Sequence, residues 1–144
     1  MRILGIETSC DETGIALLEG NGKLRLLSNV VASQAEIHQP YGGVYPTLAK
    51  RAHQENLPRV LQEALGKANA SLAAIDAIAV TYGPGLSPCL WSGITFAAEK
   101  SSAWNVPLVP VDHIEAHLLL ALLSQKKGSE FHIPNNKEVF PAIA

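Results

Sequence analysis

The sequence has little of what marks several specialised classes of protein. Its only two cysteines, Cys10 and Cys89, lie far apart and form no C-x-x-C motif, which favours a reduced cytoplasmic protein over a disulfide scaffold. No apolar run reaches the roughly 18 residues that a membrane-spanning helix needs. The first residues turn polar at Glu7, too soon for a signal peptide. We therefore expect a cytoplasmic protein with no membrane segment.

An excess of charge of either sign is also missing. Charged residues make up 17% of the chain and the formal net charge is −2, which argues against a strongly basic nucleic-acid clamp. A local basic patch can still contact RNA. The hydrophobic content of 47% over 144 residues is that of one folded domain with a real core, not of a disordered chain.

The first third of the chain reads as strands. The runs "RILGIET", "GIALLEG" and "KLRLLSNVVAS" are apolar, and the pair Asn21-Gly22 between the last two is a strong hairpin signal. We therefore predict three strands that run antiparallel to one another.

Strands and helices alternate in the rest of the chain. Residues 47–68 have helical apolar spacing, with Pro46 suited to opening the helix. The segments that follow are a strand ("AIDAIAVTYG"), a helix ("PGLSPCLWSGITFAAEKSSAWN"), a strand ("VPLVPVD"), a helix ("HIEAHLLLALLSQ") and a polar loop ("KKGSEFHIPNNKE"). The order βββαβαβα predicts an α/β fold with a mixed sheet flanked by helices. It is the order of one lobe of an actin-like ATPase, or ribonuclease H-like, fold.

The last residues, "KEVFPAIA", form an apolar run with no turn or cap behind it. We interpret this run as an interrupted strand and expect the chain to be a fragment. Residues 1–137 would form an N-terminal lobe, and residues 138–144 would be the truncated first strand of a second lobe.

Two histidines stand out near the end of the alternating region. His113 and His117 are four positions apart, so on a helix they share a face and can both reach one metal ion. Glu115 lies about 200° around the helix from His113, pointing away from such an ion. In the zinc-protease motif H-E-x-x-H the glutamate directly follows the first histidine, where this chain has Ile114. Alternatively, the histidines are capping or surface residues, with Asp112 as the helix cap.

The first turn is unusually polar. Between Glu7 and Thr13, one tight turn contains the hydroxyl groups of Thr8, Ser9 and Thr13 and the carboxylates of Asp11 and Glu12. Such a turn can hold phosphate through backbone amides, or a metal-bound water through the acids. The alternative is a solvated hairpin end.

The second predicted helix is apolar on more than one face. Either the extra apolar face meets another lobe or chain, or it lies in a thick core.

Four motifs together carry a resemblance to a known family. In order, "GIETSCDETGIAL", "YGGVYPTLAKRAHQENL", "TYGPGLSPCLWSG" and "VDHIEAHLLLALL" resemble motifs of the tRNA threonylcarbamoyladenosine biosynthesis transferases (TsaD in bacteria), formerly labelled O-sialoglycoprotein endopeptidases. The resemblance implies two actin-like lobes in the full protein. It also implies transfer of a threonylcarbamoyl group from threonylcarbamoyl-adenylate to N6 of the adenosine next to the anticodon, in tRNAs that read codons beginning with A.

The resemblance also assigns site residues. It implies one iron or zinc ion held by two histidines that match His113 and His117, with an aspartate of the other lobe completing the site. The acids that match Asp11 and Glu12 are implied to be catalytic and to face the cleft. The ion would polarise the carbamoyl carbonyl as a Lewis acid. Most of the adenylate pocket is expected beyond Ala144, so we expect this chain alone to be inactive.

Partners follow from the same resemblance. It implies tRNA, a smaller paralogous actin-like (TsaB-like) subunit bound through the helices at 47–68 and 86–104, and an ATPase (TsaE-like) subunit. The basic cluster Lys50, Arg51 and His53 is a candidate tRNA contact, with a solvated helix face as the alternative.

Two departures from the family pattern are present. Thr47 replaces an expected glutamate, and Ser87-Pro88-Cys89 replaces small aliphatic residues. The "GPGL" stretch before the second helix is a weak anion-binding signal, and we interpret it as a close-packing turn. Three rival functions are a metalloprotease, an actin-like ATPase and a non-catalytic scaffold paralogue. Scaffold paralogues of this family lack the histidine pair, so its presence here favours the catalytic subunit.

Overall fold

The structure of the protein is a computed structural model that describes residues 1–20, 23–125 and 130–132. Its strands are β1 (Arg2–Glu7), β2 (Glu12–Gly20), β3 (Leu24–Ser33), β4 (Ala77–Gly83), β5 (Leu108–Asp112), β6 (Ser124–Gln125) and β7 (Glu130–His132). Its α-helices are α1 (Ala35–His38), α2 (Pro46–Ala68), α3 (Ser87–Trp104) and α4 (His113–Leu122), and short 3-10 turns occupy Gln39–Tyr41 and Leu72–Ala74.

The strands form one mixed sheet in the order β5-β4-β1-β2-β3-β7-β6. The first three strands pair antiparallel, and β4 and β5 add to the edge of β1 in parallel. The predicted mixed α/β sheet and its three antiparallel leading strands are therefore confirmed. The predicted Asn21-Gly22 turn lies outside the described residues.

The main core lies between one face of the sheet and the helices α2 and α3. Side chains alternate across a strand, so Leu4 and Ile6 of β1 and Ile15 and Leu17 of β2 all point into this core. Helix α2 packs on β2 and β3, and α3 packs on β4 and β1. Each fully buried aliphatic side chain contributes roughly 1.5–3 kcal/mol, which explains why the apolar spacing of the sequence determines these positions.

The other face of the sheet carries small side chains and borders a cavity of about 530 Å³ shared with α4. The sheet side of the cavity comes from the alternate strand positions, including Gly5, Gly14, Ala16 and Ala79. Several leucines of α4 are more than half exposed beside it. The candidate site lies beside this cavity, where β1, β4 and α4 meet.

Two predictions near the end of the described chain are wrong. The third predicted helix was expected to reach Gln125, but α4 ends at Leu122 and the next residues form β6. Residues 130–132 were expected in a loop, yet Phe131 pairs with Leu24 on the edge of β3. The edge of β3 supplies hydrogen-bond partners that the polar composition of this segment does not reveal.

The predicted start of a second lobe at 138–144 lies outside the described residues. Within the described ranges, no helix combines the length and the hydropathy required to cross a membrane.

Candidate functional site

The histidine pair begins helix α4. Asp112 ends β5 and caps the helix, its Oδ1 accepting the backbone N–H groups of Ile114 at 2.8 Å and Glu115 at 3.0 Å. The rings of His113 and His117 meet edge to face, with 4.5 Å between centroids and 3.2 Å between their Nε2 atoms. The predicted shared face and the predicted cap at Asp112 are both confirmed.

The spacing of the two Nε2 atoms suits a metal ion. Two imidazole nitrogens bound to zinc at about 2.0–2.1 Å with a tetrahedral angle lie about 3.3 Å apart, and the observed separation is 3.2 Å. Imidazole nitrogen is a suitable ligand for iron as well as zinc. Across the described ranges, no group of three or more histidine, cysteine, aspartate or glutamate side chains is placed to hold an ion. The pair therefore offers two coordination positions and needs further ligands from elsewhere.

Glu115 does not approach this position as a protease base would. Its side chain is exposed, and it does not line the cavity that both histidines line. Within the described ranges, Glu115 therefore does not take the position of the general base in the zinc-protease motif.

Glu7 places a carboxylate beside the pair, and the sequence patterns assigned it no individual role. Its Oε1 accepts the backbone N–H of Ser9 at 2.5 Å, and its Oε2 accepts the hydroxyl of Thr81. The same Oε2 lies 3.5 Å from Nδ1 of His113. Burial alone would raise the pKa of Glu7, but the hydrogen bonds from Ser9 and Thr81 hold the pKa below its ordinary value. The group is therefore an ionised acceptor at neutral pH.

The hydroxyl groups of the first turn are buried rather than solvated. Thr8 donates its hydroxyl to the carbonyl of Cys89 at 2.9 Å, and Oγ of Ser9 lies 3.4 Å from Nδ1 of His113. Thr13 is 0% exposed and bonds to Nδ1 of His53 at 2.8 Å. The alternative of a solvated hairpin end is wrong for these three side chains.

The two acids of the turn differ in position. Glu12 is exposed and lines the same cavity as the histidine pair. Asp11 is half-buried and does not line that cavity, while its backbone carbonyl accepts the N–H of Gln34 at 3.0 Å. The structure thus brings Glu12, and not the side chain of Asp11, to the cavity beside the histidines.

The buried side chain of His53 supports the first turn through hydrogen bonds. It is 0% exposed, its Nε2 donates to the carbonyl of Cys10 at 3.0 Å, and its Nδ1 accepts from Thr13 and, at 3.2 Å, from Gln34. Burial lowers its pKa below the ordinary value, so the ring is neutral. The suggestion that His53 belongs to an exposed basic cluster for tRNA is therefore wrong, although Lys50 and Arg51 are exposed.

The glycines around the start of α3 allow the turn to pack closely. A Cβ on Gly85 would lie 2.6 Å from the carbonyl oxygen of Ser9, and the N–H of Leu86 donates to that oxygen at 2.8 Å. A Cβ on Gly93 would lie 2.3 Å from Oγ1 of Thr8. The interpretation of "GPGL" as a close-packing turn is confirmed.

Helix α3 presents one large aromatic side chain to solvent. Trp91 is 62% exposed, whereas Cys89 and Ala97 are fully buried. The alternative that the extra apolar face lies in a thick core is therefore wrong for Trp91.

Solved structures of other proteins share this fold. YeaZ from Pseudomonas aeruginosa superposes with a TM-score of 0.60 at 22% identity, over 83% of this chain and 45% of that chain. RuvC of Thermus thermophilus, solved with a Holliday junction substrate, superposes with a TM-score of 0.51 at 16% identity, over 85% of this chain and 71% of that chain. At these identities the likeness shows the fold alone, and it confirms the predicted actin-like, ribonuclease H-like lobe.

Curated relatives are much closer in sequence. The tRNA N6-adenosine threonylcarbamoyltransferase of Bartonella bacilliformis is 52% identical over 128 residues, covering 88% of this chain and 35% of the relative. That of Dictyoglomus turgidum is 50% identical over 125 residues, covering 87% of this chain and 37% of the relative. The chain thus spans little more than a third of the length of these relatives.

The model of one protein family matches residues 25–134, most of the chain. By this match, and in agreement with its four motifs, the chain belongs to the tRNA N6-adenosine threonylcarbamoyltransferase family.

Proposed function

We propose that the protein transfers a threonylcarbamoyl group from threonylcarbamoyl-adenylate to N6 of the adenosine next to the anticodon, in tRNAs reading codons that begin with A. Membership of the family supports this reaction. The observation that carries it is the pair of Nε2 atoms, 3.2 Å apart at the start of α4, beside a largely apolar cavity whose lining includes the carboxylates of Glu7 and Glu12. Its tRNA substrates would place the protein in the cytoplasm.

His113 and His117 would hold one iron or zinc ion, with remaining ligands from outside the described residues. When bound, this ion supplies a Lewis acid for the carbamoyl carbonyl of the donor. As N6 bonds to the carbamoyl carbon, the bond from that carbon to the adenylate phosphate breaks and AMP leaves. The N6 amino group also loses a proton, which a carboxylate lining the cavity can accept. Glu12 is exposed and lines that cavity, so we assign it this role. We assign Asp11 to catalysis more indirectly, through the shape and charge of the turn.

The 144-residue chain alone is expected to be inactive. Its two histidines do not complete a coordination sphere, and its match covers only 35% of the Bartonella relative. Most of the adenylate pocket would come from beyond Ala144.

The proposed protein partner is a paralogous actin-like (TsaB-like) subunit that binds the outer surfaces of α2 and α3. Exposed Trp91 on α3 supports this surface, because aromatic side chains often dominate binding energy at interfaces. For tRNA, exposed Lys50 and Arg51 on α2 offer phosphate contacts. An ATPase (TsaE-like) subunit completes the proposed assembly on family grounds.

The test uses the protein at its natural full length. Bound metal is quantified by elemental analysis, and threonylcarbamoylation of a substrate tRNA is measured with purified partners, for the wild type and for His113→Ala and His117→Ala. Both variants should lose most of the metal and nearly all tRNA modification, because each removes a ligand.

Glu115→Gln is the matched control, since it alters a carboxylate on the same helix that does not line the cavity. It should keep both metal and transferase activity, whereas a metalloprotease using Glu115 would lose its hydrolysis. Metal content unchanged in both histidine variants would refute the proposed site.

A further inference from the structure

His113 has two ring nitrogens with different surroundings. Its Nε2 faces Nε2 of His117, while its Nδ1 faces Oε2 of Glu7 at 3.5 Å and Oγ of Ser9 at 3.4 Å. A neutral imidazole carries one proton, on one nitrogen or the other. Only the tautomer with hydrogen on Nδ1 leaves a lone pair on Nε2, the atom placed to bind an ion together with His117.

The carboxylate of Glu7 is held in place from two directions. The backbone N–H of Ser9 binds Oε1, and the hydroxyl of Thr81 binds Oε2. The parallel pairing of β1 with β4 continues to Ile6 opposite Val80, so the next residues, Glu7 and Thr81, lie side by side. Because both contacts are donated to it, the carboxylate remains an acceptor with a fixed position and a negative charge.

We infer that Glu7 is a positioning residue that keeps the proton of His113 on Nδ1 and so presents Nε2 as a metal ligand. At 3.5 Å the attraction is electrostatic rather than a short hydrogen bond, and it favours the tautomer that directs an N–H toward the negative charge. The hydroxyl of Ser9 is a weaker, neutral acceptor for the same N–H. Glu7 itself is not placed as a ligand, since it lies on the Nδ1 side of the ring.

The consequence for metal binding rests on the proposed function. Metal-ligating histidines commonly donate their other N–H to a carboxylate, and loss of that partner weakens metal affinity by roughly 10–100-fold. The tautomer of His113, by contrast, is a property of the metal-free protein and can be measured independently of any ion.

The experiment uses the natural full-length protein with ¹⁵N-labelled histidine, free of metal, at a pH above the ordinary histidine pKa of about 6.5. The ¹⁵N shifts of protonated and unprotonated ring nitrogens differ widely, and His113→Ala identifies the signals. Wild type should show His113 protonated on Nδ1. Glu7→Ala should move most of the population to Nε2–H, and Ser9→Ala should change it little.

Zinc affinity is measured on the same proteins by competition with a chelator. Glu7→Ala should weaken zinc binding by roughly 10–100-fold. Isosteric Glu7→Gln should also weaken it and move the proton to Nε2, because its single amide oxygen must accept the backbone N–H of Ser9 and its NH₂ group then faces Nδ1 of His113. Glu115→Gln is the control and should stay within about twofold of wild type in affinity, with an unchanged tautomer. If Glu7→Ala does not fold, Glu7→Gln carries the comparison.

Three results overturn the inference: wild-type His113 protonated on Nε2, a tautomer unchanged in both Glu7 variants, or zinc lost with no change of tautomer, which would make Glu7 a ligand. If wild type binds no zinc, the proposed function fails, while the tautomer result still decides the role of Glu7.

Discussion

Replacing Gly93 with alanine tests how closely α3 must approach the first turn for the site to form. The added Cβ would lie 2.3 Å from Oγ1 of Thr8, and 3.3 Å and 3.4 Å from its Cγ2 and Cβ. Thr8 is 1% exposed, and its hydroxyl is bonded to the carbonyl of Cys89. The new methyl group must therefore displace the threonine or push the helix away from the sheet.

The expected loss of stability follows from three opposing effects. Overpacking a close-packed site costs about 1–3 kcal/mol, and losing the Thr8 hydrogen bond costs about 1 kcal/mol. Alanine regains about 1 kcal/mol of helix propensity over glycine. The net effect is destabilisation by about 1–3 kcal/mol, or a fall in Tm of about 3–10 °C for a domain of this size.

The assay is urea unfolding followed by tryptophan fluorescence, with Gly66→Ala as the matched control. Gly66 also lies in a helix, but a Cβ there would meet nothing within 4 Å, so the same substitution should stabilise the protein by up to about 1 kcal/mol. In a Thr8→Ala background, which removes the clashing atoms, Gly93→Ala should cost much less. A Gly93→Ala variant as stable as wild type would refute the packing argument.

Two further predictions concern buried groups. Burial lowers the pKa of His53 below its ordinary 6.5. Below pH 6.5 the unfolded chain therefore binds a proton on this ring, while the folded protein keeps the ring neutral until the lowered pKa is reached. The free energy of unfolding, measured by urea titration at several pH values, should fall as pH drops from about 6.5 toward the lowered pKa. His53→Gln should flatten this pH dependence. A variant with the same pH dependence as wild type would contradict the prediction. Burial also raises the pKa of the Cys89 thiol to about 11. Partial burial and the neighbouring Asp11 raise the pKa of Cys10 as well, but Cys10 is exposed to the reagent and Cys89 is buried. Iodoacetamide at neutral pH should therefore modify Cys10 alone in the folded protein and both cysteines in urea, as read by peptide mass spectrometry; native labelling of Cys89 would show that α3 opens.

The long elements could be predicted because their signals are local. Helix α2 begins at Pro46 and ends at Ala68, one residue from the predicted range, since its apolar stripe and its first proline both lie within it. The pair His113 and His117 could be predicted for the same reason: helical geometry alone places positions i and i+4 together.

The short strand β7 could not be predicted, because its partner is distant in the chain. Phe131 pairs with Leu24 only after the sheet has formed, and nothing in "SEFHIP" has the alternation of a buried strand. The same applies to His53, which looks like one member of a basic surface cluster in the sequence. Its burial depends on the first turn folding over α2, where Thr13 and Cys10 satisfy its ring.

The sequence by itself determined the order of the long strands and helices, the placement of two imidazoles on one helix face, and the family. These depend on periodicity and motif spacing, which a linear chain already contains. Only the tertiary structure decided which groups surround those imidazoles. Glu7 and Thr81 meet because β1 and β4 pair in parallel, and Ser9 reaches His113 across 104 residues of chain. Hydrogen-bond contacts of this kind arise from the packing of distant segments, and no local pattern encodes them.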